Sequence, residues 1–143
     1  SEIPNIVGIK KASGDFEKIA SIIGSASSGF RVWSGNDADT FHVLCLGGYG
    51  VISVASHLVG MQIKTMIKML VDGSLDGAAK EHIRLLPIFN GIFVVANPIP
   101  IKYGVNRAGF QVGHPRLPLT KPDGATSDFL DNLFDQYHID LSV

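Results

Sequence analysis

The apolar positions along the chain change their period part-way. Ile6-Val7-Gly8-Ile9 is a continuous apolar run closed by Lys10-Lys11, the pattern of a short parallel strand covered on both faces. Ser13-Gly14-Asp15 then makes a turn that can cap a helix, and Phe16, Ile19, Ala20 and Ile23 recur at helical spacing. A Ser/Gly loop over residues 24–29 leads to a second strand, Phe30-Arg31-Val32-Trp33-Ser34, closed by Gly35-Asn36-Asp37. Residues 38–46 predict a short helix ended by Gly47-Gly48, and Gly50-Val51-Ile52-Ser53-Val54 a third strand. From there the period stays helical. Residues 59–71 carry Met61, Ile63, Met66, Ile67 and Leu70, and Asp72-Gly73 breaks the run. A long helix is expected over 75–95. Asn97-Pro98-Ile99-Pro100 interrupts the pattern, and either proline can open the next helix, which runs to about Ala108. Residues 110–124 hold Pro115, Pro118 and Pro122 and read as loop. A last helix over 126–138 places Phe129, Leu130, Leu133 and Phe134 on one face.

Strands alternating with helices imply an α/β fold with a parallel sheet. Three strands alone leave exposed edges, which isolated domains avoid. The length of 143 residues allows one domain, and only 17% of residues are charged, against about 25% in an average soluble protein. With a mean hydropathy of +0.25 and a net charge of -1, the chain is too apolar for disorder. The same charge excludes a nucleic-acid binder driven by bulk charge. A single cysteine, Cys45, excludes an internal disulfide framework and a Cys-rich zinc site, which suits a cytoplasmic protein. No apolar run approaches the about 20 residues of a membrane helix. The first residues have neither the basic nor the apolar region of a signal peptide, and strand pattern begins almost at once. The expectation is a chain that was processed or that begins inside a larger fold.

Few residues stand out chemically. Lys10 ends the first strand, the end that faces the active site in a β/α barrel. A lysine desolvated there can present a neutral amine to a ketone; equally, Lys10 and Lys11 can simply mark a strand end in water. Asp37 can orient a substrate hydroxyl or cap the helix after it, and capping is the commoner role. Gly47-Gly48-Tyr49-Gly50 precedes a strand and lacks a following Lys-Ser/Thr, so it is a tight turn and not a phosphate cradle. The five histidines show no metal-ligand spacing and read as structural or solvated. Cys45 is expected to pack on an apolar helix face. Lys64 and Lys68 belong to an ordinary surface helix with its apolar stripe inward.

Four motifs nevertheless fall in one order: Ile6-Val7-Gly8-Ile9-Lys10-Lys11-Ala12-Ser13-Gly14-Asp15, Ser34-Gly35-Asn36-Asp37, Gly47-Gly48-Tyr49-Gly50-Val51-Ile52-Ser53-Val54 and Asn97-Pro98-Ile99-Pro100-Ile101-Lys102. Together they resemble the C-terminal half of the dihydrodipicolinate synthase family, within the pyruvate-dependent class I aldolase and N-acetylneuraminate lyase superfamily. The resemblance covers essentially the whole chain. It implies a TIM (β/α)8 barrel, strands six to eight, over residues 1–71, followed by a C-terminal helical extension over 72–143. It implies that Lys10, not Lys11, forms a Schiff base with pyruvate, so that no separate cofactor and no metal is used. Ile52 would lay its backbone beside the bound pyruvate, and Gly35 and Asn36 would line the same pocket. The family's proton-relay tyrosines, carboxylate-binding threonines and substrate arginine lie in the N-terminal half, and Tyr49, Tyr103 and Tyr137 match none of them.

The implied reaction condenses pyruvate with aspartate semialdehyde in lysine (diaminopimelate) biosynthesis. The implied partners are an N-terminal half-barrel and further copies of the chain, with no nucleic acid and no membrane. By itself the chain is expected to be inactive and to associate. A sugar-acid lyase or 2-keto-3-deoxygluconate aldolase is the alternative within the superfamily. Its lyase branch tends to carry an acidic pair after the strand-seven glycine, where this chain has Asn36-Asp37-Ala38. The alternative of another class is a non-catalytic half-barrel that acts only in assembly.

Overall fold

A computed structural model describes residues 3–140. The described elements are β1 (Gly8–Lys11), α1 (Phe16–Ser25), β2 (Arg31–Ser34), a 3-10 turn (Asp37–Asp39), α2 (Thr40–Cys45), β3 (Gly50–Val51), α3 (Ser56–Val71), α4 (Leu75–Gly91), α5 (Ile99–Arg107) and α6 (Gly124–Phe134). The strands form one parallel sheet in the order β1-β2-β3, with Lys10 opposite Trp33, Lys11 opposite Ser34 and Ser34 opposite Val51. Helices α1 and α2 make the two crossovers. Asp15 caps α1, its carboxylate accepting from the Lys18 amide at 3.0 Å, as the turn chemistry predicts.

Pairing, not apolarity, sets the strand limits. Ile6 and Val7 lie before β1 and are exposed, and the strand runs through both lysines because its register with β2 extends to Lys11↔Ser34. Gly8 is needed where it stands: a Cβ there would lie 2.2 Å from the Trp33 ring and 2.4 Å from the Arg31 carbonyl oxygen. The third strand is far shorter than the expected run to Val54. Beyond Val51 only the Ile52 amide continues towards β2, bonding the Ser34 carbonyl at 2.9 Å. The Val54 and Ala55 amides both donate to the Asp37 carboxylate at 3.1 Å and turn the chain out of the sheet.

Helix α3 begins at Ser56, ahead of the expected Val59, because Val59 is a break inside it (φ -128°, ψ 35°). The second stretch has its own cap. Asp140 accepts from the Met61 amide at 2.7 Å and the Gln62 amide at 3.2 Å, amides that the break leaves short of helical partners. Helix α4 stops at Gly91 and not at Val95. Gly91 is buried where a Cβ would meet Leu133 of α6 at 2.2 Å, so the helices cross closely there. Both prolines open α5, Pro98 as its N-cap and Pro100 within its first turn. Asp123 caps α6 through the Thr126 amide at 2.8 Å.

The main core lies in the helical half: Leu58, Val59, Ile63 and Met66 of α3, Leu85, Ile88 and Phe89 of α4, Ile101 and Val105 of α5, and Leu130, Leu133 and Phe134 of α6. Two expectations fail there. Phe129 is not on the buried face of α6 but 45% exposed, and Cys45 is exposed where packing was expected, because Thr40 and Val43 form the buried face of α2. No described helix is long and apolar enough to cross a membrane. No group of three or more metal-ligating side chains occurs among the described residues.

Candidate active site

Three parallel strands end side by side, and their ends carry the residues singled out from the sequence. The sheet bonding continues past the strands: the Gly35 amide donates to the Lys11 carbonyl at 2.7 Å and the Ile52 amide to the Ser34 carbonyl at 2.9 Å. Lys10, Gly35 and Ile52 are thereby brought to one end of the sheet. Lys10 and Gly35 are also near neighbours through their side-chain space. A Cβ on Gly35 would stand 3.0 Å from Lys10 Cε and 2.5 Å from Ala12 Cβ, so only glycine leaves the lysine stem its course over the second strand end.

Lys10 is exposed, and its ammonium makes no hydrogen bond or ion pair among the described residues. The expected desolvation is therefore absent from this arrangement. The cause is topological: β1 is an edge strand here, and no described element covers the end of the sheet on its open side. Ile52 is 49% exposed for the same reason on the opposite edge. Asn36 sits next to this cluster but turns away from it. Its amide donates to Asp39 at 2.7 Å, its backbone carbonyl accepts from the Ser34 hydroxyl at 2.7 Å, and it lines a cleft of about 290 Å³ with Asp37, Asp39, Phe89, Asn90 and Phe93.

Asp37 has a part that sequence reasoning missed. It does not cap the turn that it opens, for which no side-chain capping bond exists. It is 2% exposed, and its carboxylate accepts from the Ser53 hydroxyl and from the Val54 and Ala55 amides. The Ser53 hydroxyl oxygen in turn accepts from the Ser56 amide at 2.8 Å. The Ser53-Val54-Ala55-Ser56 spacing is the one sequence signal of this, being that of a serine opening a helix. Behind the site, buried His82 of α4 stacks on Phe41 (5.4 Å between ring centroids) and meets His42 edge-on at 5.3 Å. Burial pushes its pKa below 6.5, the His42 charge adds to this and Asp39 opposes it.

The Dihydrodipicolinate synthetase family model matches residues 1–136. The chain belongs to this family. A 4-hydroxy-tetrahydrodipicolinate synthase of Dehalococcoides mccartyi is 52% identical over all 143 residues, which are 48% of that relative's length. A dihydrodipicolinate synthase crystal structure from Cyanidioschyzon merolae, with lysine bound, superposes with a TM-score of 0.89 at 42% identity; the match covers 93% of this chain and 45% of that one. A structure described as the first monomeric dihydrodipicolinate synthase variant gives a TM-score of 0.88 at 39% identity over 92% of this chain and 45% of its own. The chain thus spans about half the length of the family members it matches. The α/β fold is that of dihydrodipicolinate synthase barrels over that half, and a three-stranded parallel sheet with helices fits part of such a barrel.

Proposed function

We propose that this chain forms strands six to eight of a TIM barrel (residues 1–71) and the helical extension after it (72–143). In our reading, the full-length protein condenses pyruvate with aspartate semialdehyde in lysine biosynthesis. The observation that carries the reading is Lys10 at the C-terminal end of a parallel strand, its stem running over Gly35, in a chain of this family.

The chemistry follows from a lysine in that place. The neutral Lys10 amine adds to the C2 carbonyl of pyruvate, and the carbinolamine loses water to give an iminium. The iminium withdraws electrons, so a C3 proton leaves and an enamine forms. C3 of the enamine attacks the aldehyde carbon, making the carbon–carbon bond and restoring the iminium, while the carbonyl π bond opens and its oxygen takes up a proton, balancing the one lost from C3, to become a hydroxyl. The amino group of aspartate semialdehyde then attacks C2, closes the ring and releases the Lys10 amine. No cofactor and no metal enters this sequence. Ile52 offers its backbone beside the keto acid. Gly35 and Asn36 form the adjoining turn, Gly35 through its missing side chain and Asn36 through its backbone. The groups that move protons, bind the pyruvate carboxylate and exclude water from Lys10 come from the other barrel strands. The partners are thus those strands and further copies of the subunit, and the site of action is the cytoplasm.

The state of Asp37 supports synthase over sugar-acid lyase. Its carboxylate is occupied by Ser53, Val54 and Ala55, and the next residue is Ala38, so this turn offers no acidic pair to sugar hydroxyls. Borohydride reduction of the full-length protein with pyruvate, followed by peptide mass mapping, tests the assignment. The adduct is expected on Lys10; an adduct on Lys11 or Lys102 in its place would sink it.

A further inference from the structure

The carboxylate of Asp37 joins two strand ends that no sheet hydrogen bond joins at that level. It opens the 3-10 turn after β2, yet every partner of its side chain lies 16 to 18 residues ahead, in the turn between β3 and α3. A buried carboxylate without a cationic partner is costly unless its oxygens are satisfied, and here three donors satisfy them. Two of the donors are backbone amides just ahead of α3, where the partial positive charge of the helix start also favours an anion. The turn is held again from within, by the Ser56 amide on the Ser53 hydroxyl and the Ser56 hydroxyl on the Ser53 carbonyl.

Ile52 is the residue between these two attachments. On one side its amide is bonded to the Ser34 carbonyl. On the other, its neighbour Ser53 is bonded to Asp37. Removing the Asp37 bridge leaves Ile52 attached at one end only, and the segment is free to follow α3. Gly35, which lies over the Lys10 stem, is two residues before Asp37, so the bridge also holds the second strand end against the third.

We infer that Asp37 is a positioning residue of the Lys10 site: through Ser53 and the Val54 and Ala55 amides it holds the Ile52 backbone and the Gly35 turn in fixed register beside the lysine. The inference rests on the reading of Lys10 as the Schiff-base lysine. The bridge acts through hydrogen bonds and not through charge on the substrate, because the carboxylate is buried among these donors. Asparagine keeps an acceptor for the two amides and a polar group for the serine, so it preserves most of the bridge, whereas alanine removes it.

The test uses the full-length protein and its D37A, D37N, S53A and S53T variants. The rate of borohydride trapping with pyruvate, kcat and KM per folded molecule, and Tm are read for each. D37A is expected to lose about ten- to a hundredfold in trapping rate and kcat, the range expected when a reacting group shifts by about 1 Å. D37N is expected to stay within a few-fold of wild type, S53A to lose several-fold, and S53T to recover. A merely structural role would lower Tm and leave kcat and trapping per folded molecule unchanged, and that result overturns the inference. So does an equal loss in D37A and D37N, which would point to charge. If D37A does not fold, the serine pair decides: equal trapping in S53A and S53T overturns the inference, and a loss in S53A that S53T restores supports it. Absence of any adduct on wild-type Lys10 overturns the Schiff-base reading and this inference together, and is told apart from the other outcomes by the wild-type control.

Discussion

Gly35→Ala is the sharpest perturbation of the strand-end geometry. The new methyl carbon would lie 2.5 Å from Ala12 Cβ, 3.0 Å from Lys10 Cε and 3.1 Å from Ala12 Cα. Unstrained carbon contacts sit at about 3.5–4.0 Å, so the overlap with Ala12 is about 1 Å. Lys10 Cε can swing aside, but Ala12 Cα is backbone and cannot. The end of β1 must move away from β2, stretching the 2.7 Å bond from the Gly35 amide to the Lys11 carbonyl. Overpacking of this kind costs about 1–3 kcal/mol of stability. A displacement of about 1 Å at a reacting amine costs on the order of a hundredfold in rate. Thermal melting and the borohydride trapping rate in the full-length protein measure the two effects separately. A G35A variant with unchanged Tm and a trapping rate within twofold of wild type would refute the reasoning, since the strand ends would then have room that the structure denies them.

Other outcomes are expected from the same physics. Gly24→Ala in α1 meets nothing within 4 Å, so it should stabilise the protein by about 0.5–1 kcal/mol in a denaturant titration. Asp140→Ala should cost about 1–2 kcal/mol by the same assay, because it uncaps the Met61 and Gln62 amides after the Val59 break. Burial holds the folded pKa of His82 below the unfolded 6.5, so the unfolded chain binds the extra proton as pH falls through that range. Stability should therefore be full above pH 6.5 and fall as pH drops below it; His82→Phe should weaken that dependence, and an unchanged Tm–pH curve would count against it. In this 143-residue chain, amide exchange should be faster in edge strand β1 than in α3 and α4, as followed by mass spectrometry; equal protection would contradict the placement of the core.

What was legible in the sequence was what short-range chemistry decides. The order of strands and helices, the Asp15 cap and the prolines opening α5 all follow from residues within a turn of one another. Long-range partners account for the rest. The third strand reads as apolar to Val54, but amides bound to Asp37 end it early. The α3 pattern starts at Val59 because the helix is broken there, and Asp140, far along the chain, restores the cap. Cys45 and Phe129 sit on apolar patterns, and only the assembled packing leaves them outside. At the candidate site, the family resemblance singled out Gly35, Asn36 and Ile52, and only Lys10 was readable from its strand end. Asp37 was not, because its partners are a whole crossover away.

The same contrast separates what this chain supplies to Lys10 from what it does not. Position comes from within: parallel register puts Lys10 beside Gly35, and Asp37 fixes the next strand end. Those constraints are anchored in turn to the core of the helical half, against which Ala38, Val51 and Val54 also pack, because the amides that Asp37 holds lead directly into α3 and His82 packs α4 against Phe41 and His42 of α2. Desolvation does not come from within. Lys10 stands on an edge strand and is exposed. A neutral amine requires low-dielectric cover or a nearby positive charge, and no described element provides the cover. Among the described residues the strand-end geometry that positions Lys10 is in place, and cover for its amine is not.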